Sequence, residues 1–133
     1  MKKLDWNEYH NLIDQLADQI KEVNSEVMPY RHLFGVDTDS LIVASHLSNK
    51  LEIPLVTDIS LLVYLYNIGT NEEDTLLVSN VIKTGKTFRD ILGQCNSKID
   101  TAVLIKDAQC SFIPTYFVDI PSNYIVFPWQ HNK

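Results

Sequence analysis

The densest chemistry-bearing run in the chain is Lys83-Thr84-Gly85-Lys86-Thr87, two cations, two hydroxyls and a glycine in succession. It comes after the apolar stretch Thr75 to Val81 and before Phe88, Ile91, Leu92 and Cys95, whose i, i+3, i+4, i+7 spacing predicts a helix. Backbone N–H groups at a helix start point outward and attract anions, so the order strand, small-residue loop, helix makes this run a candidate phosphate site. It is not a Walker A loop: that pattern needs Gly five residues before Gly85, and Asn80 stands there. The competing reading is a capped helix whose glycine eases a tight turn. The run alone does not choose between the two.

A second polar run is Asp37-Thr38-Asp39-Ser40, ahead of Leu41, Ala44, Leu47 and Leu51 at helical spacing. Its plain reading is an N-cap, where carboxylate and hydroxyl oxygens accept the first unpaired N–H groups of a helix. The sharper alternative gives Asp37 and Asp39 to a Mg²⁺ ion through oxygen ligands. Cys95 and Cys110 form no CxxC pair and have no His at metal-ligand spacing, so they read as reduced thiols. His10, His32, His46 and His131 are scattered and none claims a catalytic role from sequence.

The elements that would position these runs alternate. Trp6, Tyr9, Ile13, Leu16, Ile20 and Val23 form one apolar stripe and predict a helix over 6–24, opened by Asp5 with Glu8 as a capping box and bounded by Pro29. His32 to Val36 predicts a strand and Ile53 to Thr57 another. Ile59 to Tyr66 reads as strand or short helix, and Asn67 to Asp74 as a surface loop. Thr75 to Val81 has the unbroken apolar character of a strand covered on both faces of a parallel sheet. Thr101 to Lys106, Thr115 to Asp119 and Tyr124 to Phe127 complete the strands, so the pattern predicts an α/β fold with a mostly parallel sheet.

The 133 residues suit one domain over 1–133 with one core, and 45% hydrophobic with 21% charged residues is ordinary globular composition. A net charge of -6 without a Lys or Arg cluster argues against a nucleic-acid partner, which needs clustered cations. No stretch approaches 18 apolar residues and no signal-peptide core follows Met1, so no membrane partner is expected and the cytoplasm is the expected address.

Taken together, Thr75 to Thr87, Phe34-Gly35-Val36, Leu47-Ser48 with Leu51, and Val118-Asp119-Ile120-Pro121 closing with Phe127-Pro128-Trp129 resemble the type I phosphoribosyltransferases of the xanthine and hypoxanthine-guanine type. The resemblance implies a twisted, mostly parallel sheet with helices on both faces and a small C-terminal hood. It implies that Lys83 to Thr87 cradle a ribose 5′-phosphate, that Lys106 bonds a purine 6-oxo group, and that Tyr124 stacks on the purine while Ile125 contacts it through its backbone. It also implies a small-molecule purine nucleotide partner and, since family members are often oligomeric, a homo-oligomer.

The chain departs from that pattern where the family does its chemistry. Two adjacent acids that hold the ribose hydroxyls and help arrange Mg²⁺ are replaced by Ser79 and Asn80, and the acid that assists proton transfer at the purine is replaced by Lys83. A protonated Lys cannot act as that anion or base. Where the family's pyrophosphate loop reads Arg-Gly-Gly, this chain has Thr38, Asp39 and Ser40 beside Asp37. One like-charge contact at about 4 Å costs roughly 4 kcal/mol at an effective dielectric near 20. The expectation is therefore a phosphoribosyltransferase-like protein that binds a 6-oxopurine nucleotide with weak or no transferase activity. An active purine phosphoribosyltransferase with Mg²⁺ relocated to Asp37 and Asp39 is the alternative, and an interaction scaffold the third reading.

Overall fold

A computed structural model describes residues 2–58, 60, 74–82, 89, 99–106, 113–118 and 125–130. The chain opens with a short strand, β1 (Lys2–Lys3), that sequence reasoning had not foreseen, and enters helix α1 (Trp6–Val23). Asp5 and Glu8 form the expected capping box: the Glu8 N–H donates to Asp5 Oδ1 at 2.7 Å and the Asp5 N–H to Glu8 Oε1 at 3.2 Å. Tyr9, Leu12, Ile13, Leu16, Ala17 and Ile20 are buried. The ends of the predicted stripe are not, with Trp6 at 48% and Val23 at 68% exposure, so only the central turns of the helix face the core.

Strand β2 (His32–Gly35) leads into helix α2 (Thr38–Leu51) and the short β3 (Leu55–Val56). The buried face of α2 is Ser40, Val43, Ala44, Leu47 and Leu51, so Val43 takes the place that the spacing had assigned to Leu41. The turn from β2 into α2 is tight. A Cβ on Gly35 would lie 2.9 Å from both the Cα and the backbone N of Leu41, so only glycine admits this approach.

The remaining strands are β4 (Thr75–Ile82), β5 (Asp100–Lys106), β6 (Tyr116–Val118) and β7 (Ile125–Val126). Each starts or stops within a residue or two of its predicted bounds. A five-stranded sheet runs in the order β3-β2-β4-β5-β6 with every pairing parallel. Parallel strands need crossovers, which is the arrangement expected from alternating helices and strands.

Both described helices pack on one face of the sheet, their apolar stripes joining Leu33, Leu76, Val78, Ala102 and Leu104 in one core. Leu77 and Val103 alternate onto the opposite face and are also fully buried, so β4 and β5 are covered on both sides as their unbroken apolar runs imply. Apart from the sheet, β1 pairs in parallel with β7, Lys2 opposite Ile125 and Lys3 opposite Val126. This two-stranded ribbon is the C-terminal hood, and it uses the first residues of the chain as well as the last. No helix among the described residues is long and apolar enough to cross a membrane.

Candidate functional site

The strand order locates a crevice. From β2 the chain passes through α2 to β3 on one side, whereas β4 is followed in the sheet by β5 on the other, so the order reverses between β2 and β4. In open α/β sheets the gap outside the carboxyl ends of strands at such a switch point is where ligands bind. Residues on the rim here are those after Gly35, those at the end of β4, and the first turn of α2.

Asp37 caps α2, its Oδ1 accepting the Ser40 N–H at 2.9 Å, while its carbonyl accepts from the Leu41 N–H at 2.9 Å. The last bond of the β2–β4 ladder runs from the Val36 N–H to the Val78 carbonyl at 3.1 Å. Beyond it the Ser40 Oγ accepts the Asn80 N–H at 3.1 Å. The Ser40 hydroxyl also lies 3.3 Å from Asn80 Oδ1 and 3.5 Å from Ser79 Oγ, and Ser79 donates to the Val81 carbonyl at 3.0 Å. All three side chains are buried. The structure thus joins three residues predicted separately, Ser40 from one run and Ser79 and Asn80 from another, into one neutral hydrogen-bonded cluster. Serine and asparagine satisfy each other without a net charge, whereas a carboxylate enclosed here would need a cation beside it.

Asp39, one residue further round the helix, is committed elsewhere. Its Oδ1 accepts from the Trp129 indole N–H at 3.1 Å and its Oδ2 from the Gln130 amide at 2.8 Å. Both oxygens of Asp39 and one of Asp37 therefore already accept hydrogen bonds. Among the described residues no group of three or more His, Cys, Asp or Glu side chains is placed to hold a metal. Thr38 and Asp37 stay exposed at the rim.

Lys106 stands at the carboxyl end of β5 opposite Ile82 of β4, half-buried, with its Nζ 5.8 Å from the centroid of the Phe117 ring on β6. Ile125 lies in the hood, paired with Lys2. Lys83, Thr84, Gly85, Lys86 and Thr87, the helix expected after them, Ile59 to Tyr66 and Tyr124 lie outside the described residues.

Sequence reasoning missed an aromatic and histidine cluster where α1, α2 and the C-terminal turn meet. The Tyr9 hydroxyl and His46 Nδ1 are 2.6 Å apart, the His10 and His46 rings 5.4 Å, and Trp129 stacks on Phe127 at 4.9 Å and meets Tyr9 edge-on at 5.1 Å. Burial pushes the Tyr9 hydroxyl above the usual phenol range, and burial followed by the neighbouring His10 lowers His46 below the usual imidazole range. The signal was available: Tyr9 lies on the apolar stripe, but His46 and Trp129 come from distant segments that no local spacing connects.

No protein-family model matches the chain and no curated protein matches it in sequence. Solved structures do match in shape. A purine phosphoribosyltransferase from Pyrococcus horikoshii is 24% identical with a TM-score of 0.76, covering 99% of this chain and 95% of its own. A xanthine-guanine-hypoxanthine phosphoribosyltransferase from Helicobacter pylori is 15% identical with a TM-score of 0.72, covering 96% and 92%. A hypothetical protein from Neisseria gonorrhoeae with bound ppGpp is 18% identical with a TM-score of 0.75, covering 98% and 90%. The chain therefore has the type I phosphoribosyltransferase-like fold over nearly its whole length.

Proposed function

We propose that this protein is a phosphoribosyltransferase-like binding or regulatory module that takes a 6-oxopurine nucleotide in the crevice between β2 and β4 and has weak or no transferase activity. The observation that carries the proposal is the neutral Ser40, Ser79 and Asn80 cluster at the switch point, where the family pattern has two acids. Hydroxyl and amide groups can accept and donate to a ribose without the charge that arranges Mg²⁺ and steadies an oxocarbenium-like ribose. Fold alone does not fix function. The residues give the reading its direction: Lys83 to Thr87 for the 5′-phosphate, Lys106 for the 6-oxo group, and Tyr124 with Ile125 for the base.

The guanine nucleotide in the Neisseria neighbour supports a purine ligand on this fold and adds ppGpp to the candidates. The active alternative routes Mg²⁺ through Asp37 and Asp39, and the engagement of Asp39 with Trp129 and Gln130 argues against it. A cytoplasmic address belongs to the same reading.

Calorimetry with guanosine, inosine and xanthosine monophosphates and ppGpp tests the binding half, with measurable affinity for at least one expected. Pyrophosphate release from phosphoribosyl pyrophosphate with guanine, hypoxanthine or xanthine and Mg²⁺ tests the other half. Loss of one preorganised electrostatic contact commonly costs about 3 kcal/mol of barrier, and several are altered together here. Turnover within the ordinary range of about 1 to 1,000 per second would establish an active enzyme instead.

A further inference from the structure

We infer that Asp39 is a positioning residue that latches the C-terminal hood to the first turn of α2 and thereby fixes the purine side of the crevice relative to the ribose side. The inference rests on the nucleotide reading above and deepens it. One helical turn makes two kinds of attachment. Through Ser40 it holds the end of β4, by way of the Asn80 N–H. Through Asp39 it holds Trp129 and Gln130, 90 and 91 residues away in sequence.

Gln130 passes that attachment on. Its Nε2 donates to Asp39 while its Oε1 accepts the Phe127 N–H at 3.0 Å, and its own backbone N–H donates to the Phe127 carbonyl at 3.0 Å. A reversed amide would set its oxygen against the carboxylate and its NH₂ against a backbone donor, so both partners favour one orientation. Phe127 is buried, at 1% exposure, and directly follows β7, which is itself tied to the N-terminus through the Val126 carbonyl and the Leu4 N–H. The path from Asp39 to the strand that presents Ile125 is therefore a closed series of hydrogen bonds.

A carboxylate is well suited to this place. It sits in the first turn of α2, where the helix dipole favours an anion, and its bonds to two N–H donors are charge-assisted. Trp129 keeps its ring contacts with Phe127 and Tyr9 whether or not Asp39 is present, so losing the carboxylate should loosen the hood without emptying the aromatic core.

The test compares guanosine monophosphate, which needs both halves of the crevice, with ribose 5-phosphate, which needs one. Calorimetric affinities are measured for the wild type, Asp39→Ala, the volume-conserving Asp39→Asn, Gln130→Ala, and the Asp39→Ala/Gln130→Ala double variant, each first checked for folding by circular dichroism. Asp39→Ala should weaken guanosine monophosphate by at least about tenfold, the equivalent of one charge-assisted bond. Ribose 5-phosphate should stay within about twofold, and the double variant should bind no more weakly than Asp39→Ala, because both substitutions open the same latch. Asp39→Asn, which keeps a single acceptor oxygen, should fall between wild type and Asp39→Ala. Equal loss for both ligands or an unchanged guanosine monophosphate affinity would each overturn the latch. A wild type that binds none of guanosine, inosine and xanthosine monophosphates, ppGpp and ribose 5-phosphate would instead overturn the nucleotide reading, and the positioning role with it.

Discussion

Replacing Ser40 by alanine isolates the central element of the candidate site. Ser40 is fully buried, and past the end of the β2–β4 ladder its Oγ accepts the Asn80 N–H at 3.1 Å. Asn80 is itself 8% exposed, so the N–H stranded by the substitution has little access to water. A buried donor left without a partner costs about 1 to 3 kcal/mol, more than the roughly 1 kcal/mol net value of an ordinary hydrogen bond. For a domain of this size each kcal/mol moves the melting temperature by roughly 3 to 6 °C, so a loss near 2 kcal/mol corresponds to a drop of about 6 to 12 °C. Differential scanning calorimetry provides the assay, with Ser45→Ala on the exposed side of the same helix as the control for helix propensity. The same variant should lower affinity for a purine nucleotide, because the first turn of α2 loses its hold on β4. An unchanged melting temperature relative to the control would refute the reasoning, since the Asn80 N–H would then have another acceptor and the neutral cluster would not be what closes this end of the sheet.

Three further outcomes follow from the geometry. Lys106→Ala should weaken binding of a 6-oxopurine nucleotide by about 1.5 to 3 kcal/mol, the value of a charge-assisted hydrogen bond, while ribose 5-phosphate binds as before; equal calorimetric affinities for the nucleotide would remove Lys106 from the site. Gly35→Ala sets a methyl against the Leu41 backbone at 2.9 Å and should destabilise by about 1 to 3 kcal/mol, read from the denaturant midpoint. His46 has its imidazolium disfavoured in the folded state by burial and then by His10, so the unfolded chain binds the proton more readily. Stability should therefore be intact above the ordinary imidazole pKa of about 6.5 and decline as the pH falls below it. His46→Gln should flatten that acid-side slope in melting temperatures measured across pH, and an unaltered slope would assign it to other groups.

Local chemistry is what made much of this protein readable in advance. The stripe on α1, the capping box of Asp5 and Glu8, the Asp37 cap and the apolar run of β4 are patterns written within short stretches of chain, so element types and a parallel α/β sheet follow from the chain alone. The resemblance of scattered motifs also named the fold that the solved structures share. Which polar residues meet was not legible. Asp37-Thr38-Asp39-Ser40 reads as one acidic run, yet its members diverge in space: Asp37 caps its own helix, Ser40 turns into β4, and Asp39 reaches the turn at Trp129 and Gln130. A helix rotates successive side chains by about 100° per residue, so adjacent residues face different partners. What those partners are depends on how β4 and the hood are laid against α2. The neutral cluster, the Tyr9 and His46 pair and the two-stranded ribbon of β1 with β7 all join segments far apart in sequence, and only packing of the whole chain decides such contacts.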